Sequence, residues 1–439
     1  MSLREFKLLS DLKSARRIVR NLVRSRRTRR EVARRLLEVS QPAPRSIQIA
    51  VYFADTRVNL YQIRQWYAPL AELNETWPVA IIARSPGATL ALLDESPVPV
   101  VYLRKVADLE QFATEQDLKI VFYVNQNTKN FQMMRYGRMW HVFVNHGESD
   151  KMYMTTNQFK AYDFSLVAGE AARDRLSRKL WDFDLDKRTI MIGRPQADHF
   201  AGELPYVPDD RTVVLYAPTW EGDREAAAYG SVASHGVTLV NTLLASGTHR
   251  VIYRPHPRSG VVDEDYKRAN ETIIAAIASA NSRDRTAHHV YDDGTEMGWQ
   301  LATADVAITD VSAMVYDRLA VGKPLLIARP VSASVEIDTD GYLGAAEWLD
   351  AADAADIVSI VDRVQHSQDA QERLKFWVKR HFGDTSPGAS TARFHRAIEY
   401  LIEEWHRHAT IHVSDRRVRE SDPFDGEGDE EDDPSSSND

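Results

Sequence analysis

Two histidines sit in polar segments that directly follow apolar, β-branched runs. One is His146, in Asn145-His146-Gly147-Glu148-Ser149-Asp150-Lys151, and the other is His256, in Tyr253-Arg254-Pro255-His256-Pro257-Arg258. Imidazole titrates near neutral pH, so His146 can accept a proton from an attacking hydroxyl. Gly147 lets the backbone turn there or approach a ligand closely, and Glu148 or Asp150 can orient the ring. The plainer alternative is a histidine satisfied within a polar turn. The second segment sets two arginines and a histidine between prolines, a rigid cationic rim. A guanidinium fork matches phosphate oxygens, and His256 can donate to a leaving phosphate. A loop of solvated arginines is the alternative, and the prolines weigh against it because they fix the direction of the chain.

Two further segments fit the same chemistry. Tyr216-Ala217-Pro218-Thr219-Trp220-Glu221-Gly222 places a hydroxyl beside Pro and Gly, with Trp220 able to cover a base or a sugar. Taken alone it reads as an ordinary loop with a packed tryptophan. Ile308-Thr309-Asp310-Val311-Ser312-Ala313-Met314-Val315-Tyr316-Asp317 ends a strand and begins a helix. A helix start presents unpaired N–H groups and the positive dipole end, which bind phosphate. Thr309 and Ser312 can add hydroxyl contacts; alternatively Asp310 caps the helix and Ser312 is a bystander. Together the segments set a phosphate-bearing donor on one half of the chain opposite a base on the other.

The elements that must position these residues alternate. Strands are predicted at Ile47–Phe53, Val79–Ala83, Val98–Leu103, Ile120–Val124 and His141–Asn145, with helices such as Asn59–Leu73 and Ala107–Gln116 between them. A second series has strands at Thr212–Ala217, Arg250–Tyr253, His289–Tyr291, Val306–Thr309 and Pro324–Ala328. Helices fit Gly236–Leu244, Asp263–Ala280, Glu296–Ala302 and Val311–Ala320. The fold class is therefore α/β, with two facing Rossmann-like domains and a ligand between them at the carboxyl ends of the strands. The expected division is a basic helix and linker over 1–45, an acceptor domain over 46–200, a donor domain over 211–390, a helix crossing back over 391–414 and a disordered acidic tail over 415–439.

At 439 residues the chain exceeds one ordinary core, which agrees with two domains. It contains no cysteine, which excludes disulfides, thiolate nucleophiles and zinc–thiolate sites. Neither a G-x-G-x-x-G after the first strand nor a P-loop occurs, so hydride transfer and ATP hydrolysis are unsupported. The net charge of −9 divides unevenly, with eleven Lys or Arg between Lys13 and Arg35 and ten acids between Glu420 and Asp439. Leu8, Leu12, Ala15, Val19 and Leu22 recur at helical spacing among arginines. Residues 1–40 are therefore expected on an anionic membrane surface. Docking on the protein itself is the alternative and nucleic acid the least favoured partner. No stretch is long and apolar enough to span a bilayer. The expected location is cytoplasmic, peripheral on the inner face of the cell membrane.

Five ordered motifs carry a family resemblance. They are His146-Gly147 with Lys151, Ala217-Pro218-Thr219-Trp220, Arg254-Pro255-His256, Thr309-Asp310-x-Ser312 with Asp317, and His381-Phe382-Gly383-Asp384. Over about 141–395 the chain resembles the CDP-glycerol glycerophosphotransferases of teichoic-acid-type polymer synthesis. The resemblance implies the GT-B architecture and transfer of glycerol phosphate, or a related polyol phosphate, from a CDP-linked donor. The acceptor would be a hydroxyl of a cell-envelope glycolipid or polymer, and CMP would be released. It implies His146 as base, with His256 and Arg254 on the donor pyrophosphate. Gly147, Lys151, Pro218, Thr219, Trp220, Thr309, Asp310 and Ser312 are implied as donor contacts, and Asp317 as a polar support. No cofactor and no metal site are expected. The chain departs from the family at Glu148-Ser149-Asp150, where relatives often carry Thr-Pro-Leu. It departs again at Ala313, often a second serine, and at Gln196, often arginine, with Arg194 two residues earlier. These departures bear on the acceptor and the polyol. The competing readings are a nucleotide-sugar glycosyltransferase on the same fold and a non-catalytic protein of the membrane surface.

Overall fold

The strand runs are short, rich in valine and isoleucine and apolar at successive positions, a pattern suited to sheets covered on both faces. The computed structural model describes residues 25–147, 156–294 and 297–412. It arranges these runs in two wholly parallel sheets. The first contains β1 (Ile49–Phe53), β2 (Val79–Ala83), β3 (Val100–Tyr102), β4 (Ile120–Tyr123), β5 (Trp140–Phe143), β6 (Phe164–Val167) and β7 (Thr189–Met191), in the order β3-β2-β1-β4-β5-β6-β7. The second contains β8 (Thr212–Ala217), β9 (His249–Tyr253), β10 (Val290–Tyr291), β11 (Val306–Thr309), β12 (Leu325–Ala328) and β13 (Glu347–Leu349), in the order β10-β9-β8-β11-β12-β13. Every residue of β1 and β2 is buried. The α/β reading with two Rossmann-like domains is what the structure shows.

Each sheet reverses its winding once. β1 pairs with both β2 and β4, and β8 with both β9 and β11. At such a switch the outgoing loops part toward opposite faces and leave a crevice, where ligands of open α/β sheets sit. The loops after β1 and β4, and after β8 and β11, therefore frame the two places where chemistry is to be sought.

Three strands escape the sequence reading. β6, β7 and β13 are short and each carries a polar residue, Ser165, Thr189 and Glu347, that breaks the apolar run. The single helix expected over Asn59–Leu73 is two, α1 (Leu60–Arg64) and α2 (Tyr67–Asn74). Pro69 explains the break: it has no N–H for the carbonyl of Gln65, and its ring crowds that carbonyl. The interruption frees Trp66, whose Nε1 donates to Asn145 O at 2.5 Å beside His146.

The second-sheet helices that matter below are α3 (Val237–Ser246), α4 (Glu264–Arg283), α5 (Ala313–Val321) and α6 (Gln368–Phe382). The chain then returns. α7 (Ala389–Ile411) buries Phe394, Ile398 and Leu401 in the core of the first sheet, and Trp140 Nε1 donates to Leu401 O at 3.0 Å. Where α7 starts it meets the inter-sheet linker. Arg194 N donates to Ser390 Oγ at 3.2 Å, and Thr391 N donates to Asp198 Oδ2 at 2.7 Å. Gly193 fits this junction with φ of 74°, and a Cβ there would overlap Ser390 and Arg393.

Residues 25–36 are helical, with Val32 fully buried and Arg35 paired to Asp94 at 2.6 Å. This part of the basic segment docks on its own protein. The apolar stripe Leu8–Leu22, Lys151 and the tail 415–439 lie outside the described residues. Among the described residues no helix is long and apolar enough to cross a membrane.

Candidate functional site

His146 stands two residues beyond buried Val144, which continues β5. Asn145 takes a left-handed conformation with φ of 56°, which asparagine tolerates better than most side chains. Its Nδ2 donates to Gly147 O at 2.5 Å, closing the turn that presents the imidazole. The Nδ1 of His146 lies 2.9 Å from Val124 O, at the end of neighbouring β4. A carbonyl can only accept, so Nδ1 carries the proton and Nε2 keeps the lone pair. Burial lowers the affinity of this ring for a proton; Arg194 lowers it further, whereas the Val124 carbonyl and Asp55 oppose the shift. The resting ring is a neutral base with its acceptor nitrogen defined.

The switch crevice of the first sheet lies beside it. Asp55 follows β1 and Asn125 follows β4, and Asn125 Nδ2 donates to Asp55 Oδ2 at 2.8 Å across the reversal. The same amide donates to Gln62 Oε1 at 2.7 Å. Tyr61, about half exposed, stands edge-on to His146 with ring centroids 5.9 Å apart.

In the second sheet the switch is organised by Asp310, fully buried after β11. Its Oδ2 accepts from Thr219 N at 2.7 Å and Ser231 N at 3.1 Å, tying the loop after β8 to the end of β11. Burial pushes this carboxyl up to about 7, against hydrogen bonds from Ser231 and Thr219. Asp310 therefore does not cap the following helix. Ser312 does, its Oγ accepting from Met314 N at 3.3 Å, and Gly322 closes α5 in the left-handed conformation.

His256 lies in the loop after β9, where its N–H donates to Pro218 O at 3.2 Å. Its Nδ1 is 3.1 Å from Arg258 N, and a backbone N–H can only donate. The neutral ring consequently carries its proton on Nε2, the reverse of His146. Burial and the neighbouring Arg258 hold it below its ordinary protonation range, partly offset by Glu221. Arg258 stacks 3.8 Å above the ring of Trp220, so one face of that indole is taken by a guanidinium. Arg254 is engaged elsewhere: Nη1 meets Asp292 at 2.5 Å and Nη2 donates to Gly294 O at 3.0 Å. It has fewer donors left for a phosphate than its place in the sequence implies.

Arg194 joins the two halves. It is buried, forms an ion pair with Asp317 on α5, and donates to Gln65 Oε1 at 3.2 Å. A Cβ on Gly147 would lie 3.6 Å from its Nη1, so the His146 turn rests on this guanidinium. Because Asp317 is on the first turns of α5, the base turn and the Ser312 helix start face the same junction. His381 is nearly inaccessible and packs against Tyr316 and Trp377, with centroids 5.5 and 5.9 Å away, so that motif braces α6.

The structure links the His146–Gly147 turn to Asp317 through Arg194, and Thr219 to Asp310 directly; sequence reasoning missed the groups that hold them. Glu221 accepts from Gly260 N at 2.9 Å, Val262 N at 2.7 Å and Asp263 N at 3.2 Å, clamping the His256 loop to the Trp220 loop. A loop glutamate looks solvated in a sequence. Asp55, the first carboxylate after β1, carried a readable signal as a polar group at a strand end. Among the described residues no cluster of His, Asp or Glu is arranged to hold a metal ion.

Comparison with known proteins bears on the family and the fold. The family of CDP-glycerol:poly(glycerophosphate) glycerophosphotransferases matches residues 124–400, more than half of the chain. No curated protein sequence matches. Among solved structures, the wall teichoic acid polymerase TagF superposes with a TM-score of 0.50 at 14% identity, covering 90% of this chain and 98% of that one. A protein described as a UDP-N-acetylglucosamine 2-epimerase, from Listeria monocytogenes, gives 0.53 at 14% identity, covering 82% and 97%. These likenesses concern the fold. Two facing parallel α/β domains and a family match spanning both make the chain a member of the CDP-glycerol:poly(glycerophosphate) glycerophosphotransferase family, a CDP-glycerol glycerophosphotransferase-like transferase.

Proposed function

We propose that the chain transfers glycerol phosphate, or a related polyol phosphate, from a CDP-linked donor to a hydroxyl of a cell-envelope glycolipid or polymer, releasing CMP. The acceptor hydroxyl gives its proton to His146 Nε2 as its oxygen forms a bond to the polyol-side phosphorus. The bond from that phosphorus to the bridging oxygen breaks, and CMP departs with the electron pair. His256 Nε2–H, Arg258, the Ser312 hydroxyl and the positive dipole end of α5, with the buried Thr309 hydroxyl beneath them, supply the positive field around the phosphates. The observation carrying this reading is the pair of opposite tautomers, an acceptor nitrogen on the first domain and a donor nitrogen on the second. Gly147, Pro218, Trp220 and Asp310 shape the donor loops, and Lys151 belongs to the same proposal by its place in the motif.

Steady-state kinetics of His256→Ala with CDP-glycerol test the donor side. The turnover number should fall about 100-fold, as when a preorganised donor to developing charge is removed. A rate within about threefold of wild type would take His256 out of the mechanism.

Access to a lipid-linked acceptor fits a peripheral position on the inner face of the membrane, reached through the basic N-terminus. Arg26, Arg27 and Arg30 are exposed on the docked helix. Removing residues 1–24, which spares the docked Val32 and the exposed Arg26, Arg27 and Arg30, should sharply weaken salt-sensitive binding to vesicles containing anionic lipid. Undiminished binding would refute the anchor.

A further inference from the structure

β7 is an edge strand of the first sheet, and α7 passes beside it. Between them lies a groove of about 320 Å³, at the lower end of the volumes at which pockets hold ligands. Met191, Ala397 and Tyr400 give it an apolar lining, and Met191 and Tyr400 are 38% and 47% exposed. Its cations are Lys187, on the short helix Leu185–Arg188, and Arg393 and Arg396 on α7. Asp186 is the one acid of the lining, and Arg173 pairs with it. Among the described residues the side chains of Lys187 and Arg396 form no ion pair. Burial disfavours the charged Arg393, Asp384 and Asp198 favour it, and Arg396 stands near enough to oppose it. An apolar surface beside cations that repel one another matches an anion with an apolar group attached.

The chain itself carries such a group. Beyond α7, Phe424 is the only aromatic residue, and Glu420, Asp422, Asp425 and Glu427 surround it. Arg393, Ala397, Tyr400, Glu404, Arg407 and Ile411 alternate at four- and three-residue spacing, so one face of α7 leads from the groove to the helix end. Glu404 on that face is already paired with Arg407. From Ala397 to Ile411 the helix rises about 21 Å. The run from His412 to Phe424 reaches about 40 Å when extended, enough to turn back to the groove. Arg416, Arg417 and Arg419 fall within that connecting run, ahead of the acids. We propose that the acidic segment 420–427 docks in this groove, with Phe424 against the apolar lining and its carboxylates on Lys187, Arg393 and Arg396. The rival surface is the basic helix 25–36. Its Arg34 and Arg35 already pair with Glu31, Glu38 and Asp94, and Asp94 lies ahead of β3, the opposite edge strand. Arg393 also donates to Phe382 O at 2.9 Å, Asp384 O at 2.8 Å and Ser390 Oγ at 3.0 Å. The docked tail therefore sits at the joint where α6 ends, α7 starts and the inter-sheet linker passes.

The test uses the full chain, which has no cysteine of its own. Gly426→Cys is combined with Ala392→Cys, an exposed position one turn before Arg396, or with Arg27→Cys on the basic helix. Mild oxidation should close a disulfide within the chain in most molecules of the first pair and in few of the second. Adding Lys187→Glu with Arg396→Glu, or Phe424→Ser, should cut that yield at least about fivefold, and salt near about 1 M should do the same by screening. Met191 gives a readout that needs no introduced cysteine. Peroxide should oxidise it at least about threefold more slowly in the wild-type chain than in Phe424→Ser, because the docked phenylalanine covers it. Closure of the second pair in place of the first, disulfides between chains only, or Met191 oxidised equally fast in both chains would overturn the docking.

Discussion

His146→Ala should lose at least ~100-fold in turnover with CDP-glycerol while binding the donor nearly as well, because a positioned base contributes about 10²–10⁴. Only the chemical step needs the lone pair on Nε2. The pH profile gives an independent readout. Burial and Arg194 depress the proton affinity of this ring from its ordinary 6.5. A base works when neutral, so activity is present above its pKa and lost as pH falls through it. The acid limb of kcat/KM should therefore lie below 6.5, the ordinary histidine value. Asp55 favours the charged ring, so Asp55→Asn should move the limb lower still. A limb above neutrality, or one unmoved by loss of the histidine, would assign the base elsewhere.

The second large effect concerns Arg194 and Asp317. Their side chains are 6% and 11% exposed, and burial raises the Asp317 carboxyl despite the opposing attraction of Arg194. Removing one partner leaves the other charge buried alone, so Arg194→Met or Asp317→Leu should each lower stability by about 3–5 kcal/mol. The double exchange removes both charges and should recover most of that loss. Its turnover should nevertheless stay low, because the His146 turn rests on the Arg194 guanidinium through Gly147 and Gln65. Arg194→Lys keeps the charge without the planar fork and should fall between. Denaturant unfolding of the four variants, with rates measured on each, separates the roles. Full activity in a stable double variant would reduce the pair to scaffolding.

Much of this was legible in the sequence where period and punctuation are strong. Val79–Ala83, Thr212–Ala217 and Val306–Thr309 are strands with the bounds their apolar runs suggest. The polar residues at strand ends mark the crevices because a doubly wound sheet directs them there. What was not legible depends on contacts between distant segments. Asp310 and Ser312 are two residues apart, and either type caps helices. Only the arrival of Thr219 and Ser231 at the Asp310 carboxylate decides that Ser312 is the cap. Arg254 looks like a phosphate ligand until Asp292 is seen beside it. Arg194 sits two residues ahead of the place where the family often has arginine, and its partner is on α5, far along the chain. The docking of residues 25–36 through Val32 was likewise hidden, since one buried valine leaves no pattern among so many arginines.

The most direct test of the central claim is a donor panel offered to the full purified chain. CDP-glycerol, CDP-ribitol and a set of nucleotide sugars would be supplied with an envelope lipid extract, and released nucleotide and product mass recorded. CMP from a CDP-polyol, with the acceptor gaining one polyol phosphate and the signal lost in His146→Ala, is the result expected. Transfer of a sugar from a nucleotide sugar, with every CDP-polyol left intact, would contradict it.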